Sequence, residues 1–192
     1  MNLVVVEAAD EEPVSVFEAQ DHLRLDHDDD VVLVSSHINA AREYAETFTR
    51  RAFVQRTYDL FFDCWPRFPL KLPHPPLVSV SGLFYTDEDG NETEWDSDNY
   101  LVDTSSTPGR IVIKRTALIP TAVLQEAQAV RVRFVAGYGD AVDVPDSLKA
   151  AMLLLIGDLY ENRENTIIGA GNSIVQVPFS VRNLLWPYRV EW

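Results

Sequence analysis

The stretch that decides the fold runs from Val31 to Arg51 and reads VVLVSSHINAAREYAETFTRR. Its apolar residues recur at alternating spacings of three and four, the period of an amphipathic helix. Asp28, Asp29 and Asp30 precede the stretch, where negative charge favours a helix N-terminus, and two arginines close it, which suit the C-terminus. We therefore predict one long helix, capped by the aspartates. Its buried face consists of Val31, Val34, Ile38, Ala41, Ala45 and Phe48.

A second helix is predicted immediately upstream. Ser15 and Glu18 have the spacing of a capping box, in which each side chain satisfies a backbone N–H of the first turn. The helix should begin near Val16 and end before the acidic stretch that starts at Asp26. Because only a short connection separates the two helices, we expect them to be antiparallel.

The region after Phe53 changes from helical periodicity to alternation, with prolines between the apolar runs. The pair Asp89-Gly90 is typical of a tight hairpin turn. The alternating runs predict strands at 54–64, 77–86, 99–103, 110–114 and 129–136. We interpret residues 54–139 as an inserted β-rich subdomain.

Helical spacing returns after Pro145 and predicts a mostly buried helix, with Leu148, Met152 and Leu155 on one face. A last short helix, from about Phe179 to Leu185, is stopped by Pro187. The predicted fold class is therefore α+β. A helical bundle core, built from two N-terminal and two C-terminal helices, comprises residues 1–53 and 140–192 and carries the β-rich insertion.

Charge and cysteine content limit the function. Sixteen basic and 30 acidic residues give a formal charge of −14, which argues against a surface that neutralises nucleic-acid phosphates. The one cysteine, Cys64, excludes an intrachain disulfide and a thiolate zinc cluster, and it is expected to be a core or strand residue. The N-terminal residues lack the pattern of a signal peptide and should form a short tail or an edge strand.

An ordered series of short motifs resembles a known family. It comprises VSVFEAQDHLRL at 14–25, ETFTRR at 46–51, QRTY at 55–58, LPHPPL at 72–77, AGYG at 136–139, VP at 144–145, YENRE at 160–164 and LLWPYR at 184–189. In this order the motifs look like the phage head-tail connector (adaptor) family of long-tailed phages and gene transfer agents. The resemblance covers the chain from about Val14 to Arg189.

This resemblance implies a structural protein of the virion, located at the head-tail junction and assembled in the bacterial host cytoplasm. It implies a ring, a dodecamer in the particle, that docks on the portal protein. It also implies a stopper or tail-terminator protein as the next partner, and double-stranded DNA that passes through the channel during packaging and ejection without specific binding. No cofactor, metal, membrane partner or catalytic activity is expected.

The C-terminal stretch is the candidate binding site. Its apolar and aromatic content is unusual for a chain end, and aromatic residues with arginine are frequent anchors of protein interfaces. The resemblance implies that this segment reaches the portal. We therefore assign portal binding, as a hypothesis, to Arg182, Leu185, Trp186, Pro187, Tyr188, Arg189 and Trp192. We expect that removal of residues 185–192 leaves a folded protein that no longer assembles onto portals.

Two other functions remain open. A stopper or tail-terminator protein of the same neck would have a similar composition, but should be a β-barrel without the two long helices. A small metal-dependent enzyme would need the carboxylates of Asp26 to Asp30 or of Asp87 to Glu92, since hard cations take oxygen ligands. Helix capping explains the first cluster better, and a hairpin turn explains the second. The Gly169–Asn172 stretch lacks the lysine of a phosphate-binding loop and is interpreted as a plain loop.

Overall fold

The computed structural model describes residues 1–26, 30–162 and 178–191 of the chain. The fold is α+β, as predicted, with helices and two antiparallel sheets. The chain divides into two compact units. A β unit comprises residues 1–9 and 55–138, and a helical unit comprises residues 10–54 and 139–192.

The helical unit contains four α-helices among the described residues, all within two residues of the predicted positions. They are α1 (Val16–Leu23), α2 (Val31–Thr49), α3 (Asp146–Glu161) and α4 (Phe179–Leu185). The capping box at α1 is confirmed: the Ser15 hydroxyl accepts from the Glu18 amide at 3.1 Å, and the Glu18 carboxylate accepts from the Ser15 amide at 2.7 Å. These hydrogen bonds lower the pKa of Glu18.

The helices pack through their apolar faces, α2 and α4 against α3, and α1 against both α2 and α3. Leu148 and Met152 of α3 are fully buried and Leu155 is 5% exposed, as the periodicity predicts. On α2, Val34, Ile38, Ala41 and Ala45 are buried, whereas Val31 is exposed and Phe48 is half-buried. The helical faces were therefore predicted correctly except at the two ends of α2.

The start of α2 differs from the prediction. Asp30 occupies the N-cap position but has a left-handed backbone with φ of 51°, and its side chain makes no capping hydrogen bond. Its carboxylate instead accepts from the Tyr160 hydroxyl at 2.7 Å. The capping prediction is therefore wrong for the Asp30 side chain, because a partner far along the sequence takes its oxygen. His27, Asp28 and Asp29 lie outside the described residues.

The β unit contains two antiparallel sheets. The larger sheet has the strand order β1-β2-β8-β4-β5, and the smaller one has the order β3-β7-β6. Strands β2, β4, β6, β7 and β8 lie within two residues of the predicted positions. The strands are β1 (Asn2–Glu7), β2 (Arg56–Phe62), β3 (Leu70–Lys71), β4 (Leu77–Thr86), β5 (Glu92–Trp95), β6 (Tyr100–Asp103), β7 (Arg110–Ile113) and β8 (Val130–Ala136).

The N-terminal residues belong to the β unit, whereas the predicted boundary placed residues 1–53 with the helices. Strand β1 pairs with β2 in an antiparallel register that joins Leu3 to Leu60 and Val5 to Tyr58. Backbone hydrogen bonding therefore assigns the first residues to the sheet, of which β1 is an edge strand.

The chain re-enters the helical unit at Gly139, which has a φ of +129°. A Cβ atom there would collide with the Asp143 carboxylate, which accepts from the Asp140 amide at 3.1 Å. Glycine is thus required for both backbone conformation and space. Among the described helices, none is long and apolar enough to span a membrane.

Candidate interaction surface of the C-terminal segment

The C-terminal segment consists of α4, a 3-10 turn at Trp186–Tyr188 and the residues after it. Val181, Leu185 and Val190 are at most 4% exposed. Because these side chains point into the apolar core of the helical unit, the segment is held by the same hydrophobic burial as the other helices. We therefore expect removal of residues 185–192 to destabilise the helical unit, in contrast to the expectation from the sequence that the shortened chain remains folded.

Hydrogen bonds tie the segment to α2 and α3. The Val190 amide donates to the Thr49 carbonyl at 3.0 Å, and the Arg51 Nε donates to the Tyr188 carbonyl at 2.6 Å. The hydroxyls of Tyr188 and Ser147 lie 2.7 Å apart. The segment is thus held by the burial of Leu185 before the 3-10 turn and by these hydrogen bonds at its end, and its exposed side chains are presented from this base.

An aromatic and arginine cluster lies on this base, formed by Tyr44, Phe48, Trp186 and Arg189. Tyr44 and Phe48 stack with centroids 6.2 Å apart, and Phe48 lies 6.3 Å from the Trp186 ring. The Arg189 guanidinium carbon lies 5.7 Å from the Phe48 centroid and 5.4 Å from that of Trp186, within cation–π range. Trp186 is 56% exposed. A large aromatic surface with a cation beside it can bind a protein partner.

The predicted site residues fall into three groups. Arg182, Trp186, Pro187 and Arg189 are exposed. Leu185 is fully buried and Tyr188 is half-buried, so both support the surface from below. Trp192 lies outside the described residues.

Sequence reasoning missed two members of the cluster. Tyr44 was not singled out, and Phe48 was assigned to the buried face of α2. The signal for both was their spacing of four on one helix, which places them side by side. Nothing local to α2 shows that Trp186 covers Phe48.

The two acidic stretches do not form a cation site among the described residues. No group of three or more His, Cys, Asp or Glu side chains in that part of the chain could hold a metal ion. In the second stretch, the Asp87 carboxylate accepts from the amides of Asp89 and Asn91 at 3.0 and 2.9 Å, and Gly90 has a φ of +84°. The hairpin interpretation of Asp87 to Glu92 is confirmed, because its first carboxylate is used to close the loop between β4 and β5.

Cys64 is exposed and lies beyond the end of β2 at Phe62, so its assignment to a core or strand position is wrong. The chain bends at Asp63 and Cys64, ahead of Pro66. Proline lacks an amide hydrogen and fixes its own φ, which disfavours continuation of the strand.

The β unit carries an ionic network between its strands. Asp59 on β2 is 6% exposed and accepts two hydrogen bonds from Arg133, at 2.8 and 2.7 Å. Arg131 lies 3.5 Å from Asp59 and forms a shorter pair with Glu92, at 2.7 Å. Burial raises the pKa of Asp59, but the hydrogen bonds and charges of the two arginines outweigh it and the net pKa is lowered. All four groups are paired with one another, so the network joins charges across the sheet and offers no reactive group.

Comparisons with known proteins agree on one kind of particle. No protein family model and no curated protein matches the sequence significantly. Among solved structures, a chain in the neck of an empty gene transfer agent (GTA) particle, computed with C6 symmetry, is 26% identical with a TM-score of 0.81. A chain in the neck of a native GTA particle, computed with C12 symmetry, is 25% identical with a TM-score of 0.75. A chain of the virion of a native GTA particle is 25% identical with a TM-score of 0.78. Each match covers 100% of this chain and 97% of the other.

The fold and these matches define a structural protein of the virion neck. The resemblance found in the sequence motifs is confirmed, since the whole chain superposes on neck proteins. The likeness over the whole chain supports a neck protein of the kind found in phages and gene transfer agents, and its place is the head-tail junction of the particle.

Proposed function

We propose that this protein is the head-to-tail adaptor of a tailed phage or gene transfer agent. Its copies form a ring, a dodecamer in the particle, which docks on the portal protein through the C-terminal segment. The ring extends the DNA channel and presents a platform for the next neck protein, a stopper or tail terminator. The observation that carries this proposal is the whole-length similarity to chains in neck structures computed with C6 and C12 symmetry. A closed ring of identical subunits is the assembly that such symmetry describes.

The helices favour an adaptor over the second candidate, a stopper or tail-terminator protein. That candidate was expected to be a β-barrel without the two long helices, whereas α2 has 19 residues and α3 has 16. The two helices pack against each other and supply the core of the helical unit. A helical core assembled from both ends of the chain suits the adaptor proposal.

The charge of the helical unit suits a channel through which DNA must move. Residues 10–54 and 139–192 contain 18 acidic and 8 basic residues. A channel lined by such a surface repels the phosphate backbone, so the duplex passes without binding to the wall. We infer that this acidic character serves packaging and ejection.

The aromatic and arginine cluster is the proposed portal-binding surface. Trp186 and Arg189 are exposed at its centre, and Arg182 and Pro187 are exposed near them in the sequence. The rigid base lowers the entropy lost on binding, because Phe48 and the 3-10 turn already hold the side chains in place. Leu185 and Tyr188 act indirectly, by holding the segment on the helical unit.

The test is capture of the full chain by particles that end at the portal. The double substitution Trp186→Ala with Arg189→Ala removes the exposed centre and should weaken capture by about thirtyfold, the effect of losing one interface hot spot. The matched control, Leu101→Ala with Arg24→Ala, removes an exposed apolar and an exposed basic side chain elsewhere. It should bind as the unaltered chain does. Equal capture of both variants would overturn the portal-binding assignment.

A further inference from the structure

Two segments of the β unit are basic in an otherwise acidic protein. Residues 64–71 and 110–125 contain five of the sixteen basic residues and no acidic residue. Strands β3 and β7 bring the two segments together, since Leu70 pairs with Ile111 and Lys71 with Arg110. A local surface of positive charge is thus built from two distant parts of the chain.

A groove with an apolar lining lies between these segments, with a volume of about 590 Å³. Its walls include Phe68, Val112, Ile113 and Ile119, and Arg67 also lines it. Leu118, next to Ile119, is 84% exposed. Exposed apolar side chains around an apolar groove are characteristic of a surface that a protein partner covers. We call this surface the basic groove.

The charge of the basic groove is available to a partner. Arg110 forms an ion pair with Asp103 at 2.9 Å, so its charge is already balanced within the subunit. Arg67, which lines the groove, is exposed, and so are Lys71 and Arg115 in the two basic segments beside it in the sequence. The partner of the basic groove should therefore combine acidic groups with an apolar contact.

Duplex DNA fits this surface poorly, because its charged phosphate backbone makes no favourable contact with the apolar side chains that line the groove. A second copy of the chain fits better. In the helical unit, Glu11, Glu18 and Asp140 line one cleft together with Val142, which is 81% exposed. Lys149 also lines the cleft, so the acidic side chains there outnumber the basic one. This acidic cleft offers negative charge around an exposed apolar side chain, the complement of the basic groove.

We propose that the basic groove of one subunit receives the acidic cleft of the next, and that this pair is the head-to-tail contact of the ring. The inference rests on the proposed ring and adds the two surfaces that close it. A ring needs two different complementary patches on each subunit, and opposite charge fixes the direction of assembly. The portal-binding cluster is a separate surface on the helical unit.

The first test measures ring formation by the full chain, by native mass spectrometry, over a range of protein and salt concentrations. The double substitution Arg67→Glu with Arg115→Glu should raise the concentration needed for assembly by about tenfold or more, since it sets like charges against each other. A matched control, Arg24→Glu with Arg50→Glu, makes the same charge change at exposed positions of the helical unit. It should assemble normally, and both variants should keep the melting temperature of the unaltered chain.

A charge swap gives the decisive measurement. A second variant, Asp10→Lys with Glu11→Lys, reverses the charge of Glu11, which lines the acidic cleft, and of its neighbour in the sequence. It should also fail to assemble alone. A mixture of the two defective chains should form rings again, because every contact in a ring of alternating chains joins surfaces of opposite charge. Even-numbered rings that contain equal amounts of both chains are the expected product.

The outcomes separate this inference from the proposed function. If the unaltered chain forms rings and the Arg67 and Arg115 variant does so equally well, the basic groove is not the ring contact, although the adaptor proposal stands. If that variant forms rings but loses retardation of duplex DNA in a gel shift, the groove binds DNA and the inference is overturned. If the unaltered chain forms no ring, even on portal-bearing particles, both proposals fail.

Discussion

The β unit and the helical unit carry different excesses of negative charge. The β unit holds 12 acidic and 8 basic residues, and its buried carboxylate at Asp59 is matched by arginines on a neighbouring strand. The helical unit holds 18 acidic and 8 basic residues and depends on apolar helix faces from both ends of the chain. The β unit therefore has a formal charge of −4 (8 − 12) and the helical unit one of −10 (8 − 18), so most of the negative charge of the protein lies in the helical unit.

The largest expected effect tests how the helical unit uses its C-terminal segment. Leu185→Ala should reduce the free energy of unfolding by about 2 to 5 kcal/mol, because Leu185 is fully buried and its truncation leaves a cavity. Trp186→Ala is the matched control, since Trp186 is largely exposed. Chemical denaturation of both variants measures the difference. Equal losses would mean that the segment is not part of the core.

The next effect tests the ion pairs of the β unit. Arg133→Met should cost about 1 to 3 kcal/mol, because it removes the closest partner of a buried carboxylate. Arg110→Met breaks a similar pair with Asp103 at the surface and should cost about 0 to 1 kcal/mol. Denaturant titrations of the two variants give the comparison. If Arg110→Met were the more damaging change, burial would not be what makes the Asp59 pair important.

A smaller effect is expected at the first turn of α1. Ser15→Ala should cost about 1 kcal/mol, because it removes the hydroxyl that accepts from the Glu18 amide. Ser36→Ala, at an exposed position within α2, is the control and should be neutral or slightly stabilising, since alanine is the better helix former. Thermal melts compare the two. A neutral Ser15→Ala would show that the capping box adds nothing to the stability of the helical unit.

The smallest expected effect is acid sensitivity at one surface carboxylate of the β unit. Hydrogen bonds from Ser105 and Arg110 lower the pKa of Asp103 to about 2, from an ordinary value of 3.8. A carboxyl group whose pKa is lower in the folded than in the unfolded protein stabilises the fold at pH values above its ordinary pKa. For Asp103 this contribution is lost as the pH falls from about 3.8 to about 2. Asp103→Asn should flatten the dependence of the unfolding free energy on pH in this window. An unchanged slope would contradict the assignment.

Local signals predicted most helices and strands. The capping box at Ser15 and Glu18 correctly located the start of α1. Pro187 correctly indicated that α4 ends just before it. Asp89-Gly90 correctly located the hairpin between β4 and β5. These signals work because each depends on atoms within a few residues of one another.

Contacts between distant residues were predicted less well. Asp30 was expected to cap α2, but its carboxylate binds the Tyr160 hydroxyl instead. The N-terminal residues were grouped with the helices, although β1 pairs with β2. In the candidate site, the exposed Trp186 and Arg189 were identified from residue type, whereas their contact with Phe48 was not.

The sequence by itself determined the α+β class, the order of most elements, the acidic surface and the aromatic C-terminal segment, because periodicity, charge and residue type are local properties. Only the tertiary structure decided which side chains of that segment are buried and which are exposed. Leu185 and Val190 enter the core, and Trp186 remains outside on Phe48. The physical reason is that burial depends on the surface offered by residues distant in sequence, here the end of α2, and no local pattern contains that information.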